Sequence, residues 1–293
     1  MQKQEGGKVN KQIHLSIDDV CHFLEDIARK NNNVFLKFLI RCHNKYGMKV
    51  TLYVQNWEKF QKLEKNSLIF LSEYAEWLKF GIHTLPNNKT FSNLSFEEGI
   101  NTWNSFTEQM QHLGISLDAL DYFHRLHTFS GSQEGISGMK HAGGKYISGL
   151  LTADDDRNSY YFGEETSRLI YEQDIIVYDE TVDLFFKSTD FRLDWFTTDF
   201  RSANLYQKPI KKTPYEELVF RYSSGLLNQK SVLVIFTHEW QIYNRHFILN
   251  NKKKWIEDVG RFALEYGYEF VSFKEIAYSE KMDCVFKTNI NKT

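Results

Sequence analysis

Proline is nearly missing from this chain, with three in 293 residues, and no Pro- or Ser-rich stretch is available as a linker. That scarcity argues for one domain rather than several strung together. Internal repeats are also absent. Cysteine is as rare: Cys21, Cys42 and Cys284 stand too far apart for a zinc-type or redox pair and do not make a disulfide framework. Basic charge is not in excess, since 36 Lys and Arg face 38 Asp and Glu for a net charge of −2, which argues against a nucleic-acid partner. No window approaches the ~18 apolar residues of a membrane span. The polar start MQKQEGGKVNKQ carries neither a secretory leader nor a lipid-attachment motif, so a cytoplasmic protein is the expectation.

What the chain has in quantity is apolar surface: 42% hydrophobic and 16% aromatic residues, enough for a sizeable core. The periodicity predicts strands at 12–17, 48–55, 78–84, 120–127 and 231–238, with KYISGLL as a further strand and YEFVSFKEI closing the chain. Helical spacing covers 33–46 up to Gly47, 67–78, 95–114 behind a Ser95/Glu98 capping box, the SQEGISGMKHAG stretch, 213–229, and 252–266 up to Gly267. Residues 158–210 have no clear helix and read as hairpins or long loops. Strands and helices alternate about seven times. That alternation favours a parallel sheet or a βα barrel over an antiparallel sandwich, and places chemistry at the C-terminal ends of strands.

Three strands end in acidic or imidazole groups: Asp18 and Asp19 in SIDD, His83 in FGIHT, and His238 with Glu239 in VIFTHEW. Adjacent carboxylates at the end of a buried strand repel each other and lose solvation. A bound cation or proton-transfer chemistry would justify the pair; a helix cap is the plainer alternative. His83 alone also reads as an ordinary rim histidine, and Arg125, His124 and His127 as surface charges. His238, after so apolar a strand, is harder to dismiss.

Taken together, these stretches resemble the polysaccharide deacetylase family, the NodB-homology or carbohydrate esterase family 4 domain. SIDD at 16–19 is similar to its first motif, FGIHT at 80–84 to its second and FHRLHTFSG at 123–131 to its third. DFRLDW at 190–195 is loosely similar to the fourth, and VIFTHEW at 234–240 to the fifth, all in the family's order across roughly 12–275. The resemblance implies a distorted (β/α)7 barrel of α/β class, one domain over 12–278 with polar tails at 1–11 and 279–293. It implies a hydrolase that removes N-acetyl groups from a carbohydrate with one divalent metal ion, zinc first, nickel or cobalt as alternatives. Asp19 and His83 would be metal ligands, Asp18 the general base held by Arg125, and His238 the general acid held by Asp194. Trp195 and Trp240 would border the sugar. A metal polarises the carbonyl and lowers the pKa of bound water, which suits a poor electrophile such as an acetamide.

One departure bears on the metal. Where the family has its second metal histidine, this chain has Asn87, a weaker ligand for transition metals. His127 stands where the third motif often has proline and could replace the missing ligand; two protein ligands plus waters, or no metal at all, are the other possibilities. The third motif also lacks the prolines that shape the family's substrate groove. Asp199 in TTDF competes with Asp194. The expected substrate is a nucleotide- or lipid-linked sugar of surface-polysaccharide assembly. The alternatives are a non-catalytic carbohydrate-binding relative, or a glycosidase using paired carboxylates such as Asp18 and Glu239. Oligomeric state is not readable.

Overall fold

A computed structural model describes residues 11–30, 32–86, 89–121, 123–144, 146–150, 160–163, 167, 176–179, 181–196, 212–227, 232–244, 247–272, 275 and 285–288. Strand β1 (Gln12–Val20) is its spine. Ile13, Leu15 and Ile17 are buried in the apolar core together with helix residues such as Phe23 and Phe35. By the two-residue strand period, the buried His14, Ser16 and Asp18 face the other way. The same strand therefore supplies an apolar outer face to the helices and a polar inner face to the site.

Every pairing around β1 is parallel, as a βα alternation requires. β2 (Val50–Val54) lies on one side and β3 (Leu78–Ile82) beyond it. β3 meets the stretch leading into β4 (Phe123–His124) through the Phe80/Leu120 bridge and the Asp121 N–H, which donates to the Phe80 carbonyl at 2.8 Å. β4 pairs with β5 (Tyr146–Leu150). The antiparallel partner of the next strand is β6 (Ile176–Asp179). β7 (Leu184–Ser188) pairs with β5, and after two residues β8 (Phe191–Arg192) pairs with β9 (Val232–His238), which returns to β1. Counting 184–192 as one bent segment, seven parallel segments run through two sheets that adjoin at the Phe80/Leu120 bridge on one side and at the step from β7 to β8 on the other. β6 takes the edge of β7 that would otherwise face β9, so β9 meets that segment only near its end. This wedge is the distortion in the barrel. The short β10 (Tyr243–Asn244) and β11 (Phe247–Ile248) form a hairpin, and β12 (Glu269–Phe270) pairs with the start of β1.

Helices cover these sheets where local signals start and stop them. α1 (His22–Arg29) follows β1, and α2 (Val34–Tyr46) begins at Asn33, whose side chain accepts from the Phe35 and Leu36 N–H groups, and ends at left-handed Gly47. α3 (Phe96–His112) carries the Ser95/Glu98 capping box, and α4 (Gln133–His141) is capped by Ser132. α5 (Pro214–Ser223) has a Thr213/Glu216 box; the one-turn α6 (Glu239–Ile242) and α7 (Asn250–Tyr266) complete the α-helices of the described residues, α7 stopping at Gly267.

Three expectations are corrected. The 67–78 stretch is not an α-helix but a 3-10 turn at Ile69–Tyr74. Here the Leu71, Ala75 and Trp77 N–H groups donate three residues back, to the Leu68, Ser72 and Tyr74 carbonyls, and the start of the stretch is tied to the end of α3 by the Asn66 and Leu68 N–H groups, which donate to the His112 and Leu113 carbonyls. The strand expected over 120–127 is regular only at Phe123–His124. Within the expected C-terminal tail, β13 (Val285–Thr288) pairs in parallel with β6. No helix among the described residues is long and apolar enough to cross a membrane.

Two predictions follow from the packing. α3 and α4 cross with backbones in contact: a Cβ at Gly138 would stand 2.0 Å from the Phe96 carbonyl oxygen. Gly138→Ala is expected to cost about 1–3 kcal/mol, read as a lower urea midpoint. Burial pushes the thiols of Cys21 and Cys42 up to about 12. At pH 8 only about one in 10⁴ of either is thiolate, so a disulfide reagent should leave both unmodified in native protein and label both after denaturation.

Candidate active site

In a regular strand Asp18 and Asp19 would point to opposite faces. Here the register of β1 against β2 slips between Ile17 and Val20, and Asp19 takes a left-handed φ of 60°. This bulge turns Asp19 back toward the barrel mouth that Asp18 already faces. Asp18 is 1% exposed and lies beside His238 in the β1/β9 register; Asp19 Oδ2 is 3.9 Å from His238 Nε2. Left-handed backbone recurs across the mouth at Thr128 (φ 60°) and Phe129 (φ 52°), just after His127. A β-branched residue rarely adopts it, and such strain gathers at functional sites.

His83 sits one residue past β3, its N–H donating to the Val54 carbonyl at 3.0 Å. Its Nδ1 is 2.6 Å from the Arg125 carbonyl oxygen. A carbonyl only accepts, so Nδ1 carries the proton and, in the neutral ring, Nε2 carries a lone pair. Nε2 lies 3.3 Å from Asp19 Oδ1, a buried oxygen with no hydrogen-bond partner among the described residues. Two electron-rich atoms thus face each other across a gap that a cation fits. The His127 ring completes the group, perpendicular to His83 at 5.3 Å, and one ligand atom each from Asp19, His83 and His127 lie within 4.8 Å of one another. Two ligands about 2.0–2.1 Å from one zinc ion stand no more than about 4 Å apart, so the donor set fits a metal after a small movement. Burial favours a neutral carboxyl at Asp19; against it, a His83 that carries a proton on Nε2 as well as on Nδ1, then His238 and Trp240, hold the group well below the usual carboxylate range. His127 stands exposed at the rim, and partial desolvation of its ring lowers its pKa, which favours the neutral imidazole that binds metals.

The proton-handling groups flank this centre. Arg125 is fully buried, its Nη1 3.5 Å from Asp18 Oδ2 and its guanidinium 4.6 Å from the Phe236 ring. Ser16 Oγ donates to Asp18 Oδ1 at 3.4 Å. On the other side His238 Nδ1 bonds to Asp194 Oδ2, leaving Nε2 toward the mouth. Asp194 is buried, accepting also from Thr237 Oγ1 at 2.7 Å and Arg192 Nε at 2.8 Å. Burial opposes a charged His238 ring, yet Asp194 outweighs it and raises the imidazole above its ordinary value. Among the described residues Asp194 is the carboxylate bonded to His238; the other candidate, Asp199, lies outside them, as does Asn87. Trp195 ends the turn Leu193–Trp195, and its side chain is outside the described residues.

Two neighbours of His238 have parts that sequence reasoning missed. Glu239 is buried, and its carboxylate accepts the N–H groups of Cys21 at 3.1 Å, His22 at 3.0 Å and Phe23 at 2.7 Å. It caps α1 from across the barrel, the job expected of Asp18 or Asp19 if they were only caps. Burial, against these three N–H groups, pushes the Glu239 carboxyl up to about 7, and the carboxylate bonded to His238 is Asp194 rather than Glu239. Trp240, 51% exposed, lies tilted beside His238 with ring centroids 5.3 Å apart and donates its indole N–H to Asp19 Oδ2 at 3.0 Å. The only local signal for either was an acidic residue and an aromatic following an apolar strand.

No family model matches the chain, and no curated protein does. Solved structures do. A Mycobacterium smegmatis protein provisionally described as a polysaccharide deacetylase superposes with a TM-score of 0.57 at 10% identity, over 97% of this chain and 95% of that one. The 4-alpha-glucanotransferase of Thermococcus litoralis gives 0.58 at 12% identity, over 96% of this chain but 42% of that one. The Xyl-CE4 domain of a multidomain xylanase from the hindgut metagenome of Trinervitermes trinervoides gives 0.46 at 11% identity, covering 91% and 89%. At these identities the likeness is one of fold. The α/β architecture is shared with proteins of different carbohydrate chemistry, so function has to be argued from the site.

The Glu239 contacts give a stability test. Glu239→Ala leaves three N–H groups at the start of α1 without their acceptor and is expected to cost about 2–4 kcal/mol in denaturant unfolding, with Glu239→Gln intermediate. Equal stability of wild type and Glu239→Ala would mean that the cap carries nothing.

Proposed function

We propose that the protein is a divalent-metal-dependent hydrolase that removes N-acetyl groups from a carbohydrate. The observation that carries this reading is the confrontation of Asp19 Oδ1 with the lone-pair nitrogen of His83 at 3.3 Å, with His127 alongside. Asp19, His83 and His127 would hold the ion, so that His127 takes the part the family's second histidine plays. When bound, such a metal polarises an acetamide carbonyl and acidifies water. Asp18 is the acceptor for the proton of the attacking water, and Arg125 balances its charge and fixes its orientation. His238 presents Nε2 to the mouth and donates a proton to the departing amine, with Asp194 on Nδ1 favouring the imidazolium. The exposed ring of Trp240 offers a face for a sugar ring, with Trp195 a second candidate. The fold, shared with a protein described as a deacetylase, agrees with this reading.

Purified protein is expected to take up one equivalent of zinc, nickel or cobalt and to release acetate from N-acetylglucosamine oligomers, with activity lost on chelation and regained on adding metal. Metal-free protein that stays metal-free under excess zinc removes the proposal. His127→Ala should weaken metal binding by more than about 10–100-fold, the loss typical of a residue one shell further out. Asp18→Asn should keep the metal and lose about 10²–10⁴ in kcat. Because Asp18 faces the fully buried Arg125, that variant should also melt earlier, so turnover is compared well below its unfolding temperature.

A further inference from the structure

Trp240 is an unusual donor for a half-buried carboxylate. Half of its surface is open, yet its indole N–H reaches Asp19 Oδ2 at 3.0 Å, the oxygen not facing His83. It stands on α6, a single turn anchored by the neighbouring Glu239, whose three N–H contacts fasten that turn to the start of α1. The indole is therefore supported from below as well as by its own bond.

We propose that Trp240 is a positioning residue for Asp19: its N–H occupies Oδ2, so that Oδ1 alone is left as a metal ligand. The inference rests on the metal-dependent reading above. A carboxylate with both oxygens free binds a cation through one or two of them and rotates between the modes; a fixed donor on one oxygen removes the second mode. The same bond serves His238. Oδ2 is 3.9 Å from His238 Nε2, outside hydrogen-bond reach. Released from the indole, Asp19 has only to rotate to pair with that nitrogen, which would then be engaged instead of facing the leaving amine. Trp240 thus holds apart the group that binds the metal and the group that gives the proton. Its ring, tilted 31° to the His238 imidazole, keeps an open face beside both.

Trp240→Phe tests this, since it keeps an aromatic face and removes only the N–H and part of the ring. Zinc affinity of the apoprotein is measured by competition with a chromophoric chelator, and cobalt-loaded protein by its visible d–d absorption. The variant is expected to bind zinc about 10–100-fold more weakly, the usual cost of losing a hydrogen bond to a metal ligand. Its cobalt spectrum should weaken as Asp19 adds a second oxygen and the coordination number rises. KM for an N-acetylated oligosaccharide should hold while kcat falls. Trp240→Ala should show the same metal defect and raise KM as well. Zinc affinity within twofold of wild type together with an unchanged cobalt spectrum would overturn the inference while leaving the metal reading intact. Wild-type protein that binds no metal would remove both.

Discussion

The bulge at the end of β1 is the constraint on which the rest of the site depends. Without the register slip and the left-handed Asp19, strand alternation would send one of the two carboxylates into the apolar layer under the helices. The bulge instead delivers both to one mouth, at different depths. Asp18 is sealed at the level of Arg125, and Asp19 stands at the rim beside His83, His127 and Trp240. Two neighbouring acids thereby acquire different surroundings, which is the condition for different chemical tasks.

The polarity of the barrel interior follows from the same alternation. An apolar outer face on β1, β2 and β9 packs the helices, and the inner positions are free to carry His14, Ser16, Asp18, Thr51 and Tyr53. Arg125 is among the largest fully buried side chains of the described residues, and a buried guanidinium is tolerated only with compensation. Asp18 supplies the counter-charge, and the rings of Phe236 and Tyr53 lie at 4.6 and 5.5 Å from it. The backbone of Arg125 contributes as well, because its carbonyl sets the tautomer of His83. One residue thus orients the expected base through its side chain and a ligand through its main chain. That coupling depends on β3 lying beside the strand that leads to Arg125.

Much of this was legible in the sequence, and the legible parts are those governed by local physics. Ser95 with Glu98, Asn33, Gly47 and Gly267 start or stop helices through bonds within a few residues, so their spacing was enough. The strand ends that carry Asp18, Asp19, His83 and His238 followed from apolar runs that stop at polar groups. The 67–78 stretch failed because its apolar spacing was helical while its backbone turns through bonds three residues back and its start is tied to the end of α3, a contact no local pattern reveals. The β6/β7 hairpin lies in the 158–210 stretch that read as hairpins or loops, but its place beside β5 and its pairing with β13 were not legible, because short strands in polar surroundings acquire their place only from a distant partner.

By itself, the sequence determined that the chain alternates strands and helices around a large core and that its acids and imidazoles end on strand tips. Those properties depend on composition and on periods of two and 3.6 residues. Only the tertiary structure decided what each group does there. It put His127 beside His83 although they are far apart in the chain, turned Asp19 inward, and chose Asp194 as the partner of His238. It made Glu239 a helix cap and set the Trp240 indole on Asp19. These are contacts between segments separated by 40 to more than 200 residues. Their geometry is fixed by the way the two sheets adjoin, a property of all the strands together that no single stretch of sequence contains.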